Sequence, residues 1–105
     1  MEKKLASFED RLHTELWTSW ASLLRSYAGA HGLNTRHQCV VEVGTEEILL
    51  RVDNRWTRFT QNAMTTSEDG VFRFALAEDG SVELDGRIEE MDFAAERIAR
   101  EMMYQ

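Results

Sequence analysis

The spacing of apolar residues changes twice along this chain, and that change restricts the fold more than any other feature of the sequence. In the first third, apolar side chains recur every three or four positions, which places them on one face of an α-helix. These residues are Leu5, Phe8, Leu12, Leu16, Trp20, Leu23, Leu24 and Tyr27. The pattern predicts a helix over residues 3–28, with Gly29 and Gly32 as its stop signal.

A helical spacing returns in the last part of the chain. A second helix is predicted over residues 89–104, with one apolar face that carries Met91, Ala95, Ile98 and Met102. Three acidic residues crowd its start, where the helix dipole favours negative charge: Glu89, Glu90 and Asp92. A predicted helix therefore flanks the middle of the chain on each side.

Between these helices the apolar spacing falls to two, which is typical of strands with one buried face. The pattern predicts five strands, near residues 37–43, 47–52, 55–61, 71–77 and 81–85. The stretch between the third and fourth of them, residues 62–69, is rich in threonine and serine. That composition favours a loop over a helical turn.

The turn after the second strand sets the register of the first clear hairpin. A two-residue turn at residues 53–54 places Leu50 opposite Thr57 and Arg51 beside Trp56. We favour this register because it keeps the apolar residues of both strands on one face of the sheet. Asparagine and aspartate tolerate the backbone angles that such a tight turn needs.

The hairpin around residues 78–80 allows two turn lengths. A two-residue turn would set Leu76 opposite the charged Glu83, whereas a three-residue turn sets Leu76 opposite Val82. The three-residue turn is favoured because it pairs two apolar side chains. Gly80 then takes the left-handed position of a bulged turn.

With these registers, one face of the sheet is apolar. It carries Cys39, Val41, Val43, Ile48, Leu50, Val52, Phe59, Phe72, Phe74, Leu76, Val82 and Leu84. Both helices can cover this face, since each has one apolar stripe to bury. The sequence therefore predicts an α+β fold: a five-stranded antiparallel meander sheet with a long N-terminal helix and a C-terminal helix packed on one face (α-β-β-β-β-β-α). A chain of 105 residues has room for one such core, so residues 1–105 are predicted to form a single domain.

The opposite face of the sheet is neither fully polar nor fully apolar. Six of its residues form a candidate partner-binding surface, with an apolar centre and an arginine rim: Val40, Leu49, Arg51, Trp56, Arg58 and Arg73. Val71 is predicted to lie in the same apolar centre. Tryptophan and arginine are enriched where proteins meet. Two other interpretations stay open. One is a cross-strand tryptophan–arginine pair that only stabilises a solvated sheet, and the other is a site for an anionic small ligand.

Two ring-bearing side chains on the first helix lie outside its apolar stripe. His13 is opposite the stripe, so we expect it to be solvated. Trp17 is displaced toward one edge, where it can pack at the border of helix and sheet or meet a partner helix. A helix of about 26 residues is ~39 Å long, against ~20 Å for a strand of six. We therefore expect Met1–Phe8 to overhang the sheet and contact a second subunit.

The sequence carries no catalytic, metal or cofactor signature. His31, His37 and Cys39 invite a metal site, but a structural zinc site needs four such ligands and the chain has one cysteine. Cys39 shares its face with Val41 and Val43, the setting of a buried and unreactive thiol. Acidic residues fall mostly in turns, and no phosphate, dinucleotide or calcium loop occurs. We predict no catalytic residue, metal or cofactor; an enzymatic role is disfavoured but stays open.

Charge and the length of apolar runs limit the partners. The chain has 19 acidic and 12 basic residues, and its net charge of −7 repels nucleic-acid phosphates. No apolar run approaches the ~20 residues that span a bilayer, and the charged first residues do not resemble a signal peptide. One lone cysteine fits a reducing compartment. The sequence predicts a cytoplasmic protein that binds neither nucleic acid nor membrane.

These features favour a small non-enzymatic protein-interaction module that binds itself, as a homodimer, or another protein through the outer face of the sheet. One alternative is a small-molecule-binding domain or minor enzyme with a pocket between the first helix and the sheet. Its candidate lining residues are Trp20, Tyr27, His37 and Phe59. A second alternative is an acidic inhibitor that mimics nucleic acid, which requires the carboxylates to form a stripe.

The element order, and the segment LAEDGSVELDGRIEEMDFAAERIAREM at residues 76–102, resemble the type III secretion chaperones. The resemblance implies a dimer that binds an extended segment of a secreted effector on its surface. That family has a helix at its dimer interface in the position of residues 62–69, where this chain has room for a turn or two. The resemblance carries no functional residue over to this chain.

Overall fold

The computed structural model describes residues 11–32, 39–68 and 70–104. These residues form α1 (Arg11–Gly32), β1 (Cys39–Val43), β2 (Ile48–Val52), β3 (Arg55–Phe59), β4 (Ala63–Thr66), β5 (Val71–Leu76), β6 (Ser81–Leu84), β7 (Arg87–Glu90) and α2 (Met91–Met103). The predicted overhang at Met1–Phe8, and the predicted helix before residue 11, lie outside the described residues. Neither of the two helices formed by these residues is long and apolar enough to cross a membrane.

The strands form one antiparallel meander, in which each strand pairs with the next along the chain. Helix α2 packs against α1, and α1 also contacts β1 and β5. The predicted α+β class is confirmed: the strands of a meander sheet follow one helix in the sequence and precede another. The sheet has seven strands rather than the five that were predicted, because residues 63–66 and 87–90 add β4 and β7.

Strand β4 occupies the segment for which the sequence predicted a loop. It pairs with both neighbours, and Met64 lies opposite Phe59 on β3 and opposite Phe72 on β5. Met64 is buried in the core, and the β-branched Thr65 and Thr66 suit a strand. The loop prediction was wrong because it treated threonine as a turn former, and because one methionine among polar residues shows little alternation. At this position the chain also departs from the interface helix of the type III secretion chaperones.

Strand β7 takes the first residues of the predicted second helix, which begins at Met91 rather than at residue 89. Asp85 and Gly86 have φ angles of 54° and 89°, so they make a tight two-residue turn into β7. Glu89 accepts hydrogen bonds from both terminal nitrogens of Arg97 on α2, at 2.8, 3.0 and 3.1 Å. An acidic residue assigned to a helix start therefore ties the last strand to that helix.

Helix α1 continues past its predicted end at residue 28 and includes both glycines of the stop signal. Gly29 is exposed, and a side chain there would meet open space. His31 Nε2 lies 3.0 Å from Glu96 Oε2 on α2, and the His31 ring contacts the Tyr104 ring edge-on. These contacts between the helices offset the low helix propensity of glycine in the last turn.

Both predicted hairpin registers are confirmed. Leu50 pairs with Thr57 across the two-residue turn of the first hairpin. Leu76 pairs with Val82 across the three-residue turn of the second. Gly80 has a φ of 89°, which is the left-handed conformation expected of it. The requirement that apolar side chains share one face therefore predicted both registers, and the turn residues are compatible with them.

The core lies between the sheet and the two helices. Trp20 of α1 is at its centre, with ring centroids 5.3 Å from Phe59 and 5.5 Å from Phe74. The largest fully buried side chains are Trp20, Phe59, Phe74, Leu24, Ile48, Leu50, Met103, Val52 and Val82. Most of the predicted inner face is therefore buried. Val43 is an exception at 42% exposure, because it ends an edge strand.

His13 and Trp17 extend the buried face of α1 over the β1–β2 turn. His13 is 2% exposed, so the prediction that it is solvated was wrong. Its ring stacks on Trp17 with centroids 5.7 Å apart. The Trp17 indole donates a hydrogen bond to the Gly44 carbonyl at 3.0 Å. The helix buries a wider stripe than its aliphatic residues indicate, and Trp17 packs at the helix–sheet border, one of its two predicted positions.

Candidate functional site

The face of the sheet that points away from the helices is called the outer face here. Alternation along the strands and the pairing register assign its residues. They are Val40, Glu42, Leu49, Arg51, Trp56, Arg58, Ala63, Thr65, Val71, Arg73, Ala75, Glu83, Ile88 and Glu90. Neither α1 nor α2 lies on this face, since the buried residues of β2 to β6 all alternate to the other side.

All six residues predicted for a partner-binding surface lie on the outer face. Arg51 is opposite Trp56, and Leu49 is opposite Arg58, on the paired strands β2 and β3. The Arg58 guanidinium carbon lies 5.7 Å from the centre of the Trp56 ring, within the range of a cation–π contact. The remaining two predicted residues, Val40 and Arg73, are on β1 and β5.

Two of the three arginines have carboxylate neighbours on the same sheet. Arg51 pairs with Glu42 at 3.3 Å, and Arg58 lies 3.9 Å from Glu47. All four side chains are about half exposed, so these pairs add little to stability. Arg73 has no ion pair within the described ranges 11–32, 39–68 and 70–104. The arginine rim is therefore partly neutralised, which the sequence did not reveal.

Of the two most exposed aliphatic residues of the outer face, Val71 was predicted to lie there and Ile88 was not. Val71 is 72% exposed and Ile88 is 75% exposed. Ile88 was missed because residues 87–90 were not recognised as a strand. The aspartate–glycine pair at residues 85–86 is the signal that could have identified the β7 hairpin, and with it the outward direction of Ile88.

Charge divides the outer face into two parts. Arginines lie on β2, β3 and β5. On the far side of the sheet, Ile88 of β7 lies opposite Glu83 of β6, and Glu90 follows two residues later on β7. The face therefore has one part rich in arginine and aromatic surface and another part that is acidic with an aliphatic centre.

The four residues of the alternative pocket do not share one environment. Trp20 and Phe59 contact each other and are fully buried, so they fill the space that this hypothesis gave to a ligand. Tyr27 lies two turns further along α1, where its hydroxyl donates to the Asp92 carboxylate. That hydrogen bond raises the pKa of Tyr27 above its usual value. His37 lies outside the described residues.

A groove of about 320 Å³ opens on the helix side of the sheet, between β3–β5 and the C-terminal half of α2. It is lined by Arg55, Trp56, Thr57, Met64, Thr66, Ser67, Glu68, Gly70, Phe72, Ile98, Glu101 and Met102. A Cβ at Gly70 would lie 2.6 Å from the Phe72 ring and 2.8 Å from Thr66 Oγ1. A larger residue at position 70 would therefore push against the Phe72 and Thr66 side chains, which line the groove.

The chemistry-bearing residues named from the sequence do not form a centre in the described part of the chain. Cys39 is half-buried rather than fully buried, and burial raises the pKa of its thiol. A raised pKa keeps the thiol protonated and less nucleophilic. Within residues 11–32, 39–68 and 70–104, no three histidine, cysteine or acidic side chains converge as metal ligands would.

Comparison with known proteins gives no relative on which to base a function. No protein-family model, no curated protein and no solved structure matches the chain significantly. The functional argument therefore depends on the geometry of the outer face and of the groove.

Proposed function

We propose that this chain is a non-enzymatic protein-interaction module that forms a homodimer through the outer face of its sheet. The observation that supports this most is the exposure of Val71 and Ile88, at 72% and 75%, on a sheet face that neither helix covers. Extended apolar surface on a small protein usually marks a contact site. Trp56 and the arginines beside it add the residue types that are enriched in interfaces.

The arrangement of charge supports a second copy of the chain as the partner. A two-fold axis parallel to the middle strand, β4, brings β7 of one subunit over β1 of the other, and β6 over β2. The acidic strands β6 and β7 of one subunit then lie over the β1–β2 side of the partner subunit's outer face, so the acidic part of one sheet faces the arginine-bearing part of the other.

The dimensions of the outer face also suit a dimer. Six gaps between strands, at ~4.8 Å each, give a width of ~29 Å, and a strand of five residues is ~17 Å long. That flat footprint is about 490 Å², and the side chains that rise from it add surface toward the ~800 Å² per subunit of an interface of standard size. The C2 arrangement uses the same surface twice, so no second patch is required.

Light scattering after size exclusion, at about 50 μM, tests this proposal because a dimer with a Kd below ~10 μM stays mostly associated at that concentration. The native chain is expected to run at twice its mass of 12.2 kDa. Val71→Glu and Ile88→Glu should each give a folded monomer, since both side chains point away from the core. Phe93→Glu is the matched control, because Phe93 is 66% exposed but lies on α2. A native chain that remains at 12.2 kDa would contradict the proposal.

A further inference from the structure

The groove between β3–β5 and α2 has an apolar floor and an acidic rim. Met64, Ile98 and Met102 are nearly buried and form the floor together with Phe72. Glu68 and Glu101 are both exposed at the rim. We infer that this groove binds one apolar side chain carried by a short basic segment of a partner protein. The groove opens on the helix side of the sheet, whereas the proposed dimer interface lies on the outer face, and Trp56 borders both.

The size of the groove fits one large side chain. Its volume of about 320 Å³ is near the lower end of the ~300–1,000 Å³ found for ligand pockets. At ~30 Å³ for each displaced water, it holds about ten waters. Two methionines in the floor favour a binder of varied aliphatic or aromatic anchors, because the unbranched thioether adapts to the shape of its neighbour.

The floor is held in place by contacts beneath it. The buried Thr57 hydroxyl donates to the Met102 sulfur at 3.3 Å. Thr66 Oγ1 accepts a hydrogen bond from the Gly70 amide at 3.0 Å, which fixes the turn after β4. The Ser67 hydroxyl accepts from the Trp56 amide at 3.0 Å. These bonds hold Thr57, Thr66 and Ser67 in place around a floor that is itself apolar.

Charge determines the class of partner. Glu68 comes from the turn after β4 and Glu101 from α2, so the two carboxylates lie on different walls of the groove. Neither forms an ion pair with another residue in the described part of the chain. One guanidinium, that of Arg55, shares the rim with them. The rim carboxylates, the negative end of the α2 dipole and the net charge of −7 all attract a basic segment.

Titration of the ¹⁵N-labelled protein with three nine-residue peptides tests the inference. The first peptide has a central phenylalanine flanked by lysine and glycine, the second has alanine at the centre, and the third has glutamate in place of lysine. The first should shift the amide resonances of Thr66, Gly70 and Met102, with a Kd of about 0.1 mM. The other two should bind at least tenfold more weakly, because one loses the anchor and the other meets like charge.

Charge-reversed variants show whether the peptide binds to the carboxylates at the groove rim or is attracted only by the net negative charge of the protein. Glu68→Lys with Glu101→Lys should weaken binding of the first peptide about tenfold. Glu46→Lys with Glu78→Lys changes the net charge equally at two exposed turns away from the groove, and should weaken it less than threefold. The inference is overturned if both double variants weaken binding equally, if the alanine peptide binds as well as the first, or if no groove resonance shifts. Shifts confined to Glu83 and Ile88 would also overturn it, and would instead place a basic peptide on the outer face.

Discussion

At the scale of single residues, the stretch RVDNRWTRF at residues 51–59 shows how two roles divide along one hairpin. Asp53 has a φ of 57° and lies in the turn, so its presence follows from backbone geometry. Arg51 and Arg58 flank Trp56 on the outer face, and both are about half exposed. Neither arginine packs in the core. Arginines around a partly exposed tryptophan are typical of protein interfaces.

Arg51→Ala and Arg58→Ala should therefore weaken dimerisation about threefold or more and change the free energy of unfolding by less than ~0.5 kcal/mol. The physical reason is that each ion pair is solvated in the free subunit and only becomes part of a contact in the dimer. Arg87→Ala serves as the control, since Arg87 is exposed but alternates to the helix side of β7. Analytical ultracentrifugation and urea unfolding measure the two quantities. Variants that unfold far more easily yet associate normally would show that these arginines only stabilise the sheet.

At the scale of elements, turn chemistry and hydrophobic spacing predicted most of the fold. Both hairpin registers followed from keeping apolar side chains on one face, with turn residues that allow the required turn lengths, and the core faces came from spacing. The two missed strands were short and carried one buried residue or none, so alternation could not show them. Strand β4 contributes Met64, and β7 contributes the Arg97 partner Glu89. Contacts of this kind join side chains on different elements, and the alternation within a single strand does not contain them.

The glycines of the hairpin and of the helix should respond oppositely to alanine. Gly86 has a φ of 89°, so Gly86→Ala should destabilise the fold by about 1–2 kcal/mol. Gly29→Ala should stabilise it by about 0.5–1 kcal/mol, because residue 29 is helical and a side chain there meets open space. Urea unfolding of both variants against the native chain measures the difference. A neutral Gly86→Ala would mean that the β7 hairpin forms without the left-handed turn.

At the scale of the whole molecule, both helices lie on one side of the sheet, and no other element formed by residues 11–32, 39–68 and 70–104 covers the opposite side. The sequence predicted which six residues would share that outer face, because strand alternation depends only on position. It did not predict the acidic part around Ile88, which depends on β7. Nor did it predict the groove, whose walls come from β3–β5 and from α2. The homodimer proposal explains why the outer face carries exposed apolar side chains without a helix over them.

Cross-linking at the proposed two-fold axis tests the central claim most directly. Thr65 lies on the outer face of β4, the middle strand, so in the dimer it should lie near its own copy, across sheets ~10 Å apart. With Cys39→Ser removing the native thiol, Thr65→Cys should be joined by a bis-maleimide with a span of ~10–13 Å into a covalent dimer in high yield. Ser26→Cys, exposed on α1, should give little product. Equal yields from the two positions, or no covalent dimer from Thr65→Cys, would contradict a homodimer built on the outer face.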